Sequence, residues 1–168
     1  KGDAPAKVEA KDTVTTEGVS LSLSAPARAA MQTLLKTNMF ADALVGFAAS
    51  PSPEVVAFVT LLKDPSAKAA FQDLYDHAAH PAGRLYALCG FWFTDRAAFE
   101  RGVAALEKSN EETNTMAGCI VGMNTVAGIV RVRTAFPPRV VLTGPQDTVE
   151  AWMSRQSTPP ESYVVDIA

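Results

Sequence analysis

The sequence predicts a mainly α-helical domain of stacked short helical hairpins, HEAT-like in arrangement, with a small extended element in its C-terminal third. Three observations carry this expectation. Polar residues precede prolines at Ser52-Pro53, Asp64-Pro65 and His80-Pro81, the arrangement of an N-cap followed by proline at the first helical position. Apolar residues then recur at helical spacing after each start. Beyond Asn110 this period gives way to alternation and to a Pro137-Pro138 break, the mark of extended chain. At 168 residues the chain can bury a sizeable core without metal or many disulfides.

Residues 1–18 hold few large apolar residues and mixed charge, so they are expected to form a disordered tail ahead of a single domain over 19–168. A chain that opens on Lys1 and a polar lead suits the stretch after a removed signal segment, such as a lipid anchor upstream of Lys1. The expected location is therefore the periplasm or cell envelope, with the cytoplasm as the alternative. VSLSLS, 19–24, alternates like a short strand or an extended lead-in. Ser24 then precedes Ala25-Pro26, and Ala30, Met31, Leu34 and Leu35 share one helical face. Phe40, Leu44 and Phe47 repeat the helical spacing through Ala49.

Four short amphipathic helices follow. Their stripes are Val55, Phe58, Val59 and Leu62; then Phe71, Leu74 and Ala78; then Leu85, Leu88, Cys89 and Trp92; then Phe99, Val103 and Leu106 after a start at Thr94-Asp95. Joined by tight turns, they read as two hairpins, and the paired starts recur after 28 and 31 residues. EETNTMAGCIVGMN and VRVRTAFPPRVVLTG look extended, a small hairpin packed on the helices. QDTVEAWMSRQ reads as a last helix with Val149, Trp152 and Met153 inward, and STPPESYVVDIA as a docking segment. The apolar run 116–130 is interrupted by Asn124 and Thr125 and is too short to cross a membrane. Its Gly118 and Gly122 then mark close packing or a bend.

Composition and motifs narrow the function classes. A net charge of −3 offers no electrostatic footprint for nucleic acid, and Arg131, Arg133 and Arg139 read as a solvated strand face. Cys89 has His77 and His80 nearby in sequence, but it lies in an apolar stripe where a thiol's pKa is raised, the reverse of activation. Asp73, Asp76, His77 and His80 supply too few converging ligands for zinc, because the chain has two histidines. His80 reads as the residue before a helix, and His77 as a favourable helix C-terminal group. No glycine-rich phosphate loop is present, and Glu111-Glu112 falls in a polar turn. No catalytic, cofactor-binding or metal-ligating residue is therefore assigned, and the expectation is not an enzyme. The route back to catalysis would run through Cys89 or through Asp76, His77 and His80. Cys89 and Cys119 are the only cysteines. In an oxidising compartment they are expected to form a disulfide, which would contribute roughly 3–4 kcal/mol by closing a loop of about 30 residues.

The run AGRLYALCGFWFTDRAAF, followed by TMAGCIVG, resembles a group of small uncharacterised bacterial proteins of myxobacterial type. The shared core falls on Ala82, Gly83, Leu85, Tyr86, Ala87, Leu88, Cys89, Gly90, Asp95, Phe99, Gly118 and Cys119, within residues 53–130. The resemblance implies a lipoprotein-type leader and no catalytic residues. Where genes of this kind sit beside secreted toxin genes, it implies an immunity role. The functional expectation is a non-enzymatic protein-binding domain, an immunity or inhibitor protein that binds and neutralises a bacterial toxin from a neighbouring gene. The alternative is a structural or adaptor envelope lipoprotein with no toxin partner.

Overall fold

The computed structural model describes residues 21–48 and 50–131. Local capping chemistry sets most of the helix starts. Ser24 Oγ accepts from Ala27 N, so α1 (Ala25–Lys36) starts with Pro26 in its first turn. Ser52 Oγ accepts from Val55 N at 3.2 Å and starts α2 (Pro53–Leu62) in the same way. Extended His80 leads into α4 (Pro81–Thr94) without a side-chain capping bond, and Asp95 Oδ1 accepts from Ala98 N at 3.0 Å to start α5 (Arg96–Leu106). Ahead of α1, Leu21 and Leu23 are half-buried while Ser22 and Ser24 face solvent, an irregular extended lead-in. The tail expected over 1–18 lies outside the described residues.

Asp64 does not start a helix. Helix α3 (Ala67–His77) begins after a turn, with Ser66 at its cap position. Asp64 instead gathers three donors, Ser66 N at 2.9 Å, Ser24 N at 3.1 Å and Ser24 Oγ at 2.8 Å. One carboxylate thus ties the entrance of α1 to the turn before α3. Burial pushes that carboxyl up, but the bonds from Ser66 and Ser24 outweigh it and hold the group below the usual aspartate range.

The second departure is larger. Residues 39–45, where the spacing of Phe40, Leu44 and Phe47 predicts a helix, form a strand, β1 (Met39–Val45). The hydroxyl of Thr37 bonds both Met39 N and Met39 O at 3.2 Å, which turns the chain out of α1. β1 then finds partners on both edges. It pairs in parallel with β2 (Glu112–Gly118), in a register that sets Phe40 against Thr115. On its other edge, Ala41 N donates to Tyr86 Oη of α4 at 3.0 Å. Such pairing overrides a weak helical spacing, because strand preference is largely set by neighbours. Phe47 lies beyond the strand and is fully exposed.

β2 turns back into β3 (Ile120–Thr125), and the sheet order is β1-β2-β3. Ala117 pairs with Ile120, so Gly118 and Cys119 make a two-residue turn. Gly118 there has φ 54°, in the left-handed region that glycine adopts without strain. The bend expected at Gly118 is therefore this turn, and the expected hairpin lies entirely within 112–125. A short α6 (Val126–Arg131) follows, anchored where Val126 N donates to Glu111 O at 2.8 Å. VRVRTAFPPRVVLTG beyond Arg131, the helix expected in QDTVEAWMSRQ and the closing STPPESYVVDIA all lie outside the described residues. No described helix is long and apolar enough to cross a membrane.

The described residues are thus mainly helical with a small three-stranded sheet. α1 packs chiefly on α2, and α3 on α4; α4 also packs on α5, whereas α2 and α3 touch little. The first hairpin is therefore offset by one helix from the expected α2/α3 pair. α4 is the central element: Ala82, Gly83 and every residue from Leu85 to Phe91 are buried. Gly90 allows α3 to approach so closely that a methyl group there would lie 2.2 Å from Phe71 Cγ. Phe40 meets the Tyr86 ring edge-on at 5.0 Å, and Phe58 completes the cluster at 6.2 Å from Tyr86.

The expected disulfide is absent, and both cysteines are free. α4 carries Cys89 into the helical core, where its Sγ donates to Leu85 O at 3.0 Å. The β2–β3 turn carries Cys119 out to solvent.

Two consequences can be measured. Tyr86→Phe keeps the ring packing but leaves the buried Ala41 N–H without its acceptor. Chemical denaturation should show a loss of about 1–3 kcal/mol, with faster amide exchange at Ala41. The depressed Asp64 carboxyl contributes stability that is fully present above the ordinary aspartate pKa of about 4 and is lost as pH falls through its lower folded value. Asp64→Asn should therefore flatten the acid limb of a stability–pH curve; an unchanged limb would refute that role.

Candidate functional site

The residues singled out for chemistry are drawn into separate local bonds. On α3, His77 Nδ1 lies 3.0 Å from Asp73 Oδ1 and 3.0 Å from Asp73 O, a contact within one helix. Asp76 accepts from Gln72 Nε2 at 3.0 Å, also within α3, and exposed His80 stands before α4. Among the described residues no three His, Cys, Asp or Glu side chains are grouped to hold a metal ion. Complete burial raises the Cys89 pKa well above the usual thiol value, so the thiol stays protonated. Glu111 pairs with Arg84 across the α4–β2 junction; that hydrogen bond, with a second from Ser109, holds its carboxyl below the usual range. Glu112 opens β2 on the surface.

A groove of about 630 Å³ runs between the lead-in and helices α3 and α4, and Leu21, Pro65, Lys68, Ala69, Phe91 and Asp95 line it. Lys68 Nζ is 3.0 Å from Asp95 Oδ2. Hydrogen bonds from Ala98 N and Lys68 hold the Asp95 carboxyl low. Asp95 is thus occupied twice, as the α5 cap and as the partner of Lys68. Nearby, the Arg96 guanidinium stacks 3.2 Å above the Trp92 ring, which meets Phe99 edge-on at 5.0 Å. Trp92, expected inward, is half-buried, and this stack covers its outer side.

The surface that stands apart is β3. All six of its residues are exposed, and Ile120, Val121 and Met123 are large apolar side chains at 75%, 60% and 64% exposure. Phe47, in the loop after β1, is also fully exposed, and Gly46 N donates to Gly118 O at 2.9 Å, which sets that loop beside the hairpin turn. The Thr115 side of the hairpin carries Ile120 at its turn end and is polar beyond it: Asn124 Nδ2 donates to Thr115 Oγ1 at 2.7 Å over Gly122. Val121 and Met123 alternate to the opposite side. In the described sheet β3 has one neighbour, β2, so its outer edge offers a row of backbone donors and acceptors. Sequence reasoning marked this stretch as extended and missed its exposure. The available clue was the Gly118-Cys119 dipeptide, whose glycine suits the left-handed position of a two-residue hairpin turn.

Comparison with protein-family models, with curated proteins and with solved structures finds no match to this chain. What the geometry offers is a firm helical body carrying an exposed apolar strand.

The two thiols provide a direct check on this arrangement. A thiol reagent added to the folded, reduced protein should label Cys119 at once and Cys89 only after denaturant. Simultaneous labelling of both in the folded state would contradict the burial of Cys89.

Proposed function

We propose that this chain is a non-enzymatic protein-binding domain, an immunity or inhibitor protein that binds and neutralises a bacterial toxin from a neighbouring gene, acting in the periplasm or cell envelope. The observation that carries the reading is β3, whose Ile120, Val121 and Met123 stand in solvent. Monomeric proteins seldom leave such a group uncovered unless it contacts something. An edge with no second neighbour among the described residues, carrying apolar Val121 and Met123 on one side, suits strand addition, in which main-chain bonds supply affinity and side-chain pockets supply specificity. The helix pairs α1/α2 and α3/α4 are read here as a HEAT-like support that holds this edge in place.

Co-expression with the product of the adjacent gene tests the proposal. A stoichiometric complex is expected, together with sensitisation of the deletion strain to sibling cells. Met123→Glu and Val121→Glu should each weaken the complex at least about tenfold, the size of a lost 1.4 kcal/mol contact, without lowering thermal stability. If no neighbouring product binds and the deletion strain is never sensitised, the immunity reading fails.

A further inference from the structure

A strand edge can pair with its own copy when a two-fold rotation leaves its pattern complementary and its charges apart. We propose that β3 is such an edge: two copies of this chain pair antiparallel through β3, with Gly122 on a two-fold axis perpendicular to the sheet. The two three-stranded sheets then become one continuous sheet.

Backbone direction sets the register. A two-residue turn makes its flanking pair, Ala117 and Ile120, exchange hydrogen bonds. At the far end Val126 N donates to Glu111 O, so Ile120, Gly122 and Asn124 all turn their main-chain groups towards β2. Val121 and Met123 therefore direct N–H and C=O away from it. The β2–β3 register runs without a bulge from Glu112 and Thr125 to Ala117 and Ile120, so this outward row is regular. Rotation about Gly122 sets Val121 of each copy against Met123 of the other, and each such pair exchanges both of its main-chain bonds.

The side chains fit the same axis. Val121 and Met123 share one side of the strand at 60% and 64% exposure, and the rotation gathers them with their copies into a single apolar row. Gly122 meets its copy in a non-hydrogen-bonded pair, where opposed Cα atoms come closest, at about 4.5 Å. Charge permits the approach. Residues 113–130 contain no Asp, Glu, Lys, Arg or His, in a chain with 20% charged residues. A charged residue near the axis would meet a like charge there, which destabilises a sheet. β3 also has no proline or bulge, two of the devices that keep edges apart. The contact is small beside the roughly 20–30 residues a side of a standard interface, so the dimer forms on the order of micromolar concentrations and dissociates on dilution. Under the toxin reading a tighter partner displaces the second copy, but the pairing itself does not depend on that reading.

Sedimentation equilibrium on the full chain alone, from about 1 µM to about 1 mM, tests this. A reversible monomer–dimer equilibrium is expected. Val121→Lys and Met123→Glu should each weaken it at least about tenfold, the equivalent of 1.4 kcal/mol. Combined in one chain, they set opposite charges across both pairs and should dimerise more tightly than either single variant, a recovery that mere loss of apolar surface does not give. In these variants Cys89 should stay protected from thiol reagents, showing that the core survives. Register is read separately. In a Cys119→Ser background, Gly122→Cys should form an intermolecular disulfide in air, because the paired Cα atoms fall within disulfide range. The site has room, since the nearest atom to an added Cβ is Thr115 Oγ1 at 3.7 Å. A chain that stays monomeric at about 1 mM overturns the proposal and leaves the edge to a different protein. A dimer that no substitution weakens, or that Gly122→Cys does not cross-link, overturns it as well. Because only this chain is present, each outcome is separate from whether a toxin is bound.

Discussion

The hydroxyl of Tyr86 accepts the amide proton of Ala41 at 3.0 Å in the buried centre of the molecule, and this bond joins the helices to the sheet. Without it β1 would present an unpaired N–H to an apolar interior, at a cost of about 1–3 kcal/mol. With it, a side chain of α4 supplies a contact that a further strand would otherwise make. The same ring contacts Phe40 and Phe58, so one residue satisfies the edge of β1 and fills the space between β1, α2 and α4. Burial drives its hydroxyl pKa upward, which keeps the donor and acceptor roles unchanged across ordinary pH.

That joint requires α4 to sit at the centre with neighbours pressed closely around it. Glycine meets this need at Gly90 against Phe71, and at Gly83, where a Cβ would lie 2.7 Å from Leu34 O. Their helical cost of about 1 kcal/mol each relative to alanine is offset by the close approach of α1 and α3. The same enclosure settles the chemistry of Cys89. A thiol surrounded by apolar side chains and bonded to Leu85 O is a small core residue, and its distance from solvent separates it from Cys119 at the hairpin turn.

What the sequence made legible was chemistry that acts over a few residues. Ser24, Ser52 and Asp95 cap helices where expected because the donor they satisfy lies three residues ahead. Asp64 carries the same local pattern but meets Ser24, forty residues upstream in the chain, and that long-range bond redirects it. β1 was misread because its strand character comes from Thr115 and Tyr86, neither within reach of a local pattern. The hairpin was readable as extended chain because 111–124 lack a helix cap after the helical period ends at Asn110. Its role as the candidate site was not, since exposure of Ile120, Val121 and Met123 depends on what lies along an edge rather than on the residues within it.

The division between closed core and open edge has an energetic basis. Every large side chain of α4 from Leu85 to Phe91 is already buried, so the helical body has little to gain from further contact. On β3 the balance is reversed: covering a side chain such as Val121 or Met123 yields about 1.5–3 kcal/mol. Each outward amide also gains a partner worth about 1 kcal/mol. The strand is anchored at both ends, by the Gly118 turn at one and by the bond from Val126 N to Glu111 O at the other. An incoming segment therefore meets an edge that is already ordered and bears mainly the entropy of its own ordering. A short apolar segment can bind such an edge with modest total contact area. It is the order imposed by the helical core, more than any single side chain, that makes β3 the surface where binding would stabilise this molecule most.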